Sequence, residues 1–217
     1  MRKLFDYSIY LVTNRTLSNQ KTIDEVVRSA VRGGVTAVQL REKDCSTRQY
    51  IELALQLQRI LIPLNIPLII NDRVDVALAV NADGVHIGQN DMSCNDVRRL
   101  MGRDAVIGLS VETLEQAIEA EKLDVDYLGV SPVFQTPTKA DTFSEWGIEG
   151  LKVLRKRSSH KLIAIGGINK LNAEAVLNAG ADGLAVVSAI CSSSDPEEAS
   201  KQLWTIIRKN RNKDGNP

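Results

Sequence analysis

Of the 217 residues only three are cysteine (Cys45, Cys94 and Cys191) and only two are histidine (His86 and His160). The cysteines are widely spaced, odd in number and form no CxxC pair, which argues against a disulfide framework or a thiolate zinc site. Such sparse usage fits a reducing, cytoplasmic setting. Excess charge is also missing: 27 Lys and Arg balance 27 Asp and Glu. Nothing in that balance suggests a nucleic-acid partner or an acidic tail, although local cations can still serve a small anionic substrate. No apolar run approaches the ~20 residues of a membrane helix. The opening MRKLFDYSIYLVT has no long apolar signal core. There is no GxGxxG after a strand, and no Pro/Ser-rich linker or composition break. One domain over residues 1–217 is the expectation, with residues 208–217 as a frayed tail.

What is present is a strand–helix–strand unit between Pro67 and Asp91. Two short β-branched runs, Leu68-Ile69-Ile70 and Val85-His86-Ile87, read as buried strands. Val74, Ala77 and Leu78 recur between them at helical spacing. Such a unit makes the two strands parallel neighbours. Asn71-Asp72 and Asn90-Asp91 then leave the same C-terminal sheet edge, where ligands of parallel α/β sheets bind. The two carboxylates could hold a hard cation such as Mg²⁺. Each could equally cap the helix that follows.

The rest of the chain repeats the alternation. Strands are predicted at 8–13, 37–40, 106–110, 127–133, 162–165 and 184–190. Helices are predicted at 22–32, 47–62, 95–101, 113–123, 146–157 and 172–179, with a last one from about Pro196. Thr22 and Glu25 have capping-box spacing. Eight βα units fit a small (β/α)₈ TIM barrel. A doubly wound open sheet is the alternative, without the glycine fingerprint to support it.

Barrel strand ends face one shared site. They carry Gln39, Arg41 and Lys43; Asn71 and Asp72; Asp91; Ser110; Thr136, Thr138 and Lys139; Gly166-Gly167; and Val187-Ser188. Three cations beside two carboxylates suit a Mg²⁺-bound diphosphate. The glycines could leave backbone N–H groups open to a second phosphate, or merely make a tight turn. Arg41 and Lys43 could be solvated, Ser110 could cap a helix, and Glu42 and Asp44 read as local charge partners. His86 reads as packed core and His160 as a surface residue. The irregular segment 134–145 is long enough to be a lid carrying Lys139.

Together QLREK (39–43), NDRVDVAL (71–78), ADGVHIGQND (82–91), IGLS (107–110), GVSPVFQTPTK (129–139), IGGI (165–168) and VVSAI (186–190) resemble thiamine-phosphate synthase over nearly the whole chain. The resemblance implies a (β/α)₈ transferase of thiamine biosynthesis that joins a pyrimidine diphosphate to a thiazole phosphate with Mg²⁺. It implies that Gln39, Leu40, Arg41, Glu42, Lys43, Asn71, Ser110 and Lys139 bind the pyrimidine diphosphate. Asp72 and Asp91 are the implied Mg²⁺ ligands, and Arg41, Lys43 and Lys139 the implied catalytic cations. Thr136, Pro137, Thr138, Gly167, Val187 and Ser188 are the implied holders of the thiazole phosphate. Asn14, Asn90 and Gln135 depart from the family's usual residues without removing a charge that the chemistry needs.

Two other readings compete: a related barrel that only isomerises the thiazole phosphate, and a silent barrel that binds thiamine precursors as a regulator. Arg41, Lys43, Asp72, Asp91 and Lys139 are all present, which favours the synthase. No nucleic acid or membrane is expected as a partner, and the sequence leaves the oligomeric state open, a homo-oligomer included.

Overall fold

Eight short parallel strands close on themselves: β1 (Ile9–Val12), β2 (Ala37–Leu40), β3 (Leu68–Asn71), β4 (Gly84–Ile87), β5 (Val106–Val111), β6 (Tyr127–Val130), β7 (Lys161–Ile165) and β8 (Gly183–Val186). A computed structural model describes residues 5–18, 20–136 and 145–213. Each strand pairs with its sequence neighbour, and β8 returns to β1 with Tyr10 opposite Ala185. This is the (β/α)₈ barrel that the alternation predicts. A closed barrel has no open sheet edge.

The helices are α1 (Ile23–Arg32), α2 (Thr47–Leu61), α3 (Val74–Ala79), α4 (Cys94–Met101), α5 (Leu114–Ala120), α6 (Gly147–Arg155), α7 (Ala173–Asn178), α8 (Ser188–Cys191) and α9 (Pro196–Lys213). Thr22 and Glu25 form the expected capping box on α1. Ser46 and Gln49 form a second on α2, satisfying two otherwise unpaired backbone donors. Helix α2 buries Tyr50, Ala54, Leu57 and Leu61 and leaves Leu55 exposed. A helix of mixed apolar residues shows the sheet whichever stripe seats best, and the sequence holds two such stripes.

Period-two alternation divides the sheet into two faces. Ile9, Leu11, Val38, Leu40, Leu68, Ile70, Val85, Ile87 and their counterparts face the helices in one apolar layer. Tyr10, Val12, Ala37, Ile69, Val106, Tyr127, Ile163 and Ala185 pack inside the barrel. That alternation sends Gln39, Asn71, His86 and Ser110 inward, toward the C-terminal mouth of the barrel.

Several boundaries differ from the sequence expectation: the strand expected at 127–133 ends at Val130, and the helix expected at 113–123 spans Leu114–Ala120. The run 184–190 is a strand only to Val186, then breaks into α8. The tail does not fray at 208: α9 continues to Lys213. Asn210 is buried and donates to Asn178 Oδ1 (2.6 Å), while Arg211 bonds Ser8 Oγ (2.5 Å) and reaches Asp6. These contacts tie the last turns to the first strand and to α7.

Candidate active site

The C-terminal mouth opens on a cavity of about 610 Å³. Gln39, Arg41, Lys43, Asn71, Asp72, Asp91, Ser110, Thr136, Gly167, Val187 and Ser188 all line it. Leu40 and Glu42 do not. Leu40 points outward and is fully buried against the helices. Glu42 turns away to pair with Arg15, at 2.5 and 3.1 Å from the guanidinium, as a charge partner. Pro137, Thr138, Lys139 and the centre of the predicted lid lie outside the described residues.

The β2 and β3 ends are braced from outside. Tyr50 on α2 donates its hydroxyl to the Leu40 carbonyl (2.7 Å) and shares it with the Asn71 carbonyl (3.2 Å). The Arg41 amide donates to Thr13 Oγ1 (3.0 Å). Directly after β3, Asp72 adopts φ 60°, a left-handed conformation uncommon outside glycine that aspartate tolerates better than most residues. Its amide donates to the His86 carbonyl (2.8 Å), which ties the end of β3 to β4.

Neither aspartate caps a helix. Arg73 occupies the N-cap position of α3 and makes no side-chain cap bond, while Ser93 caps α4. The Asp72 and Asp91 carboxylates instead enter the same cavity, close enough for Asp72 to feel the charge of Asp91. Burial, and then the charge of Asp91, push the Asp72 carboxyl up to about 6; nearby Lys43 and a bond from Asn71 act in the opposite sense. Asp91 also accepts from the Gly88 amide (2.7 Å). Two carboxylates crowded into a half-buried mouth repel unless a proton or a cation lies between them, so the pair suits a divalent metal ion. No third His, Cys, Asp or Glu joins them among the described residues, so a cation held here would take its other ligands from water or substrate oxygen.

Ser110 does not cap α5 either; Thr113 does. Ser110 Oγ lies 2.9 Å from His86 Nε2. His86, read from sequence as packed core, lines the cavity and stacks on Tyr127 with ring centroids 5.5 Å apart. Tyr10 and Tyr127 line the floor with it. Sequence reasoning missed all three as site residues. The signal was the inward register they share with Gln39 and Ser110. His160 is not a surface residue: it is half-buried, with Nε2 3.2 Å from the Ala120 carbonyl.

On the opposite wall, Gly166 and Gly167 take φ 102° and 65°. A Cβ at 167 would lie 2.8 Å from Phe134 Cβ and 2.9 Å from the Gln135 carbonyl oxygen. Side-chain amides of Asn169 and Asn172 donate to the Gly167 carbonyl at 3.2 and 2.9 Å and fix that peptide. The glycines are therefore demanded by the turn and by close packing on the loop after β6, whatever else they bind.

A family profile described as thiamine monophosphate synthase matches residues 9–190. A thiamine-phosphate synthase of Albidiferax ferrireducens is 53% identical over 199 residues, spanning 92% of this chain and 91% of that protein. One from Syntrophomonas wolfei is 51% identical over 205 residues, spanning 94% and 98%. The solved structure of thiamine phosphate pyrophosphorylase from Pyrococcus furiosus superposes with a TM-score of 0.86 at 39% identity, covering 94% of this chain and 97% of that one. The chain belongs to the thiamine monophosphate synthase family. Membership makes it a transferase of thiamine biosynthesis, as the resemblance of its strand-end motifs implied. Among the described residues no helix is long and apolar enough to cross a membrane.

Proposed function

We propose that the chain joins 4-amino-2-methyl-5-(diphosphomethyl)pyrimidine to 4-methyl-5-(2-phosphoethyl)thiazole, plain or carboxylated, giving thiamine phosphate and diphosphate, with the carboxylate of the carboxylated form leaving as CO₂. One observation carries the substrate reading. Arg41 and Lys43 enter the same mouth as the Asp72 and Asp91 carboxylates, a set of charges suited to a metal-bound diphosphate.

The carbon–oxygen bond at the pyrimidine methylene breaks and diphosphate leaves with the electron pair. The aminopyrimidine ring stabilises the cation left behind, and the thiazole nitrogen attacks it. Neither step needs a strong base or a covalent nucleophile. The protein's work is to align two substrates and to offset negative charge on the leaving group. Arg41, Lys43 and Lys139 take the diphosphate oxygens, and Gln39, Asn71 and Ser110 orient the pyrimidine half. Thr136, Pro137, Thr138, Gly167, Val187 and Ser188 hold the thiazole phosphate. Asp72 and Asp91 would hold Mg²⁺, which when bound supplies further positive charge to the diphosphate. Lys139 enters this scheme through the TPTK motif: Lys139→Ala should slow bond cleavage in a single turnover more than it weakens binding of the thiazole phosphate.

The test mixes purified enzyme, both substrates and Mg²⁺ and follows diphosphate and thiamine phosphate together. Equal release of both products is expected. Diphosphate without thiamine phosphate, or neither product, would overturn the reading.

A further inference from the structure

A line of polar side chains crosses the barrel floor. Gln39 Nε2 donates to the Tyr10 hydroxyl (3.1 Å). The Tyr10 and Tyr127 hydroxyls lie 2.8 Å apart. The Tyr127 hydroxyl is 2.9 Å from His86 Nδ1, and His86 Nε2 is 2.9 Å from Ser110 Oγ. Gln39, Tyr10 and Tyr127 are buried on the cavity floor, whereas Ser110 ends the line partly exposed to the cavity. The line is built into the sequence. A Cβ at Gly108 would sit 2.1 Å from Tyr127 Cζ and 2.5 Å from His86 Nδ1, and one at Gly129 would sit 2.8 Å from His86 Cε1. Only glycine at both places lets the imidazole and phenol stack.

Proton counting gives the line a direction. A tyrosine hydroxyl has one proton to give. Tyr10 receives from Gln39, so its own proton goes to Tyr127. If Tyr127 donated to Tyr10 instead, the Tyr10 proton would face the Gln39 amide nitrogen, itself a donor. A buried donor without an acceptor is costly. Tyr127 therefore donates onward to Nδ1. A neutral imidazole whose Nδ1 accepts carries its hydrogen on Nε2. That hydrogen goes to Ser110 Oγ, and the proton of Ser110 remains for the cavity.

We propose that Gln39, Tyr10, Tyr127 and His86 form a one-way hydrogen-bond chain that makes Ser110 a hydrogen-bond donor to the pyrimidine diphosphate. His86 and Tyr127 are positioning residues that act through Ser110. The identity of the acceptor's owner rests on the proposed function above; the direction of the chain does not.

The test has an arm for each part. The full chain is labelled with ¹⁵N-histidine, and long-range ¹H–¹⁵N correlations give the tautomer of each ring. With two histidines in the sequence, His160→Gln assigns both signals. His86 should show protonated Nε2 and unprotonated Nδ1, and Tyr127→Phe should turn that pattern into a tautomer average. Protonated Nδ1 in the wild-type chain, or an average already present there, would overturn the direction whether or not the enzyme turns over. In the kinetic arm, Tyr127→Phe should raise KM for the pyrimidine diphosphate about 5-fold, the scale of one lost hydrogen bond, and leave KM for the thiazole phosphate unchanged. Added to Ser110→Ala it should cause no further rise. His86→Gln, which keeps a donor for Ser110, should stay closer to wild type than His86→Leu. Additive effects of Tyr127→Phe and Ser110→Ala, or equal losses in the two His86 variants, would remove Ser110 as the outlet. Loss of all turnover in wild type would count against the function alone, since the tautomer arm needs no substrate.

Discussion

The two walls of the cavity are made differently. The wall from β2 to β5 presents charged and polar side chains: Gln39, Arg41, Lys43, Asn71, Asp72, His86, Asp91 and Ser110. The wall from β7 and β8 presents backbone and uncharged, mostly apolar residues: Ile163, Ile165, Gly166, Gly167, Ala185 and Val187, with Ser188. The first wall offers charge, which can hold a metal ion and stabilise a leaving group. The second offers shape and amide groups, which can seat a phosphate without competing for the cation. Substitutions should separate the two walls, because side-chain charge is removed by an isostere whereas backbone shape is disturbed only by adding atoms.

The largest effect is expected on the charged wall. Asp72→Asn or Asp91→Asn removes one carboxylate of the pair while keeping its size. Turnover should fall by about 10²-fold or more, the scale of losing one preorganised electrostatic group, and the Mg²⁺ requirement should rise. Circular dichroism should report a retained fold. Wild-type rates for both variants at limiting Mg²⁺ would separate this pair from the metal.

The backbone wall should respond less in rate and more in stability. At Gly167 a methyl group meets Phe134 and Gln135 on a backbone held at φ 65°. Gly167→Ala should cost about 1–3 kcal/mol by strain and crowding. Because Gln135 adjoins Thr136 in the cavity lining, KM for the thiazole phosphate should rise more than KM for the pyrimidine diphosphate. A shift confined to the pyrimidine substrate would place the phosphate seat elsewhere.

Without metal, the charged wall should be a source of instability. The Asp72 carboxyl is pushed up to about 6 from its ordinary 3.8, by burial and then by Asp91. The folded state then binds more protons than the unfolded one between those values, so stability falls as pH rises through this window. Above it, Asp72→Asn removes the penalty. With chelator present at neutral pH the variant should melt about 2–4 °C above wild type, a shift of ~1 kcal/mol at this size, already reduced for the group's partial exposure. Mg²⁺ should raise the wild-type Tm and leave the variant nearly unchanged. A variant that melts lower under chelation would show that the pair is not under strain.

How much was legible follows the same division. The barrel could be read because each βα unit advertises itself locally: β-branched runs such as Leu68-Ile69-Ile70, an apolar stripe, a capping box at Thr22. Side chains with chemistry at strand ends could be read one by one, and Asp72, Asp91, Arg41 and Lys43 do meet in one cavity. The choice between capping and lining the cavity could not be read for the aspartates, because it depends on a positive φ at Asp72 and on the approach of β3 to β4. Tyr10, Tyr127 and His86 were hidden for another reason. An inward aromatic residue on a strand looks the same whether it fills a core or floors a site. Only the barrel's closure brings Gln39, on β2, and Tyr127, on β6, to either side of Tyr10. At Gly166 and Gly167, both readings of the sequence pointed to glycine, and packing on the β6 loop supplies a reason that neither contained.

The smallest effect expected from these substitutions concerns Glu42, which the family motif places among the pyrimidine diphosphate residues. Alternation past β2 argues otherwise. Arg41 and Lys43 face the cavity, while the Glu42 side chain is 6% exposed and reaches back to Arg15. One of its oxygens takes the guanidinium, and the other, Oε1, is buried with no hydrogen-bond partner. An acid so placed holds the 41–43 turn by its pairing and keeps a negative charge off the diphosphate path. Glu42→Gln keeps the shape, weakens the pairing and gives Oε1's position a group that can donate. Stability should change by less than about 1 kcal/mol, since a half-exposed ion pair contributes little net, and KM for the pyrimidine diphosphate should stay within about twofold of wild type, below the scale of one direct hydrogen bond. Arg41→Gln, one residue away on the other face, should raise the same KM about tenfold, as for a lost charge-assisted bond. Equal effects at 41 and 42 would mean that the turn, and not the face each side chain occupies, is what the diphosphate reads.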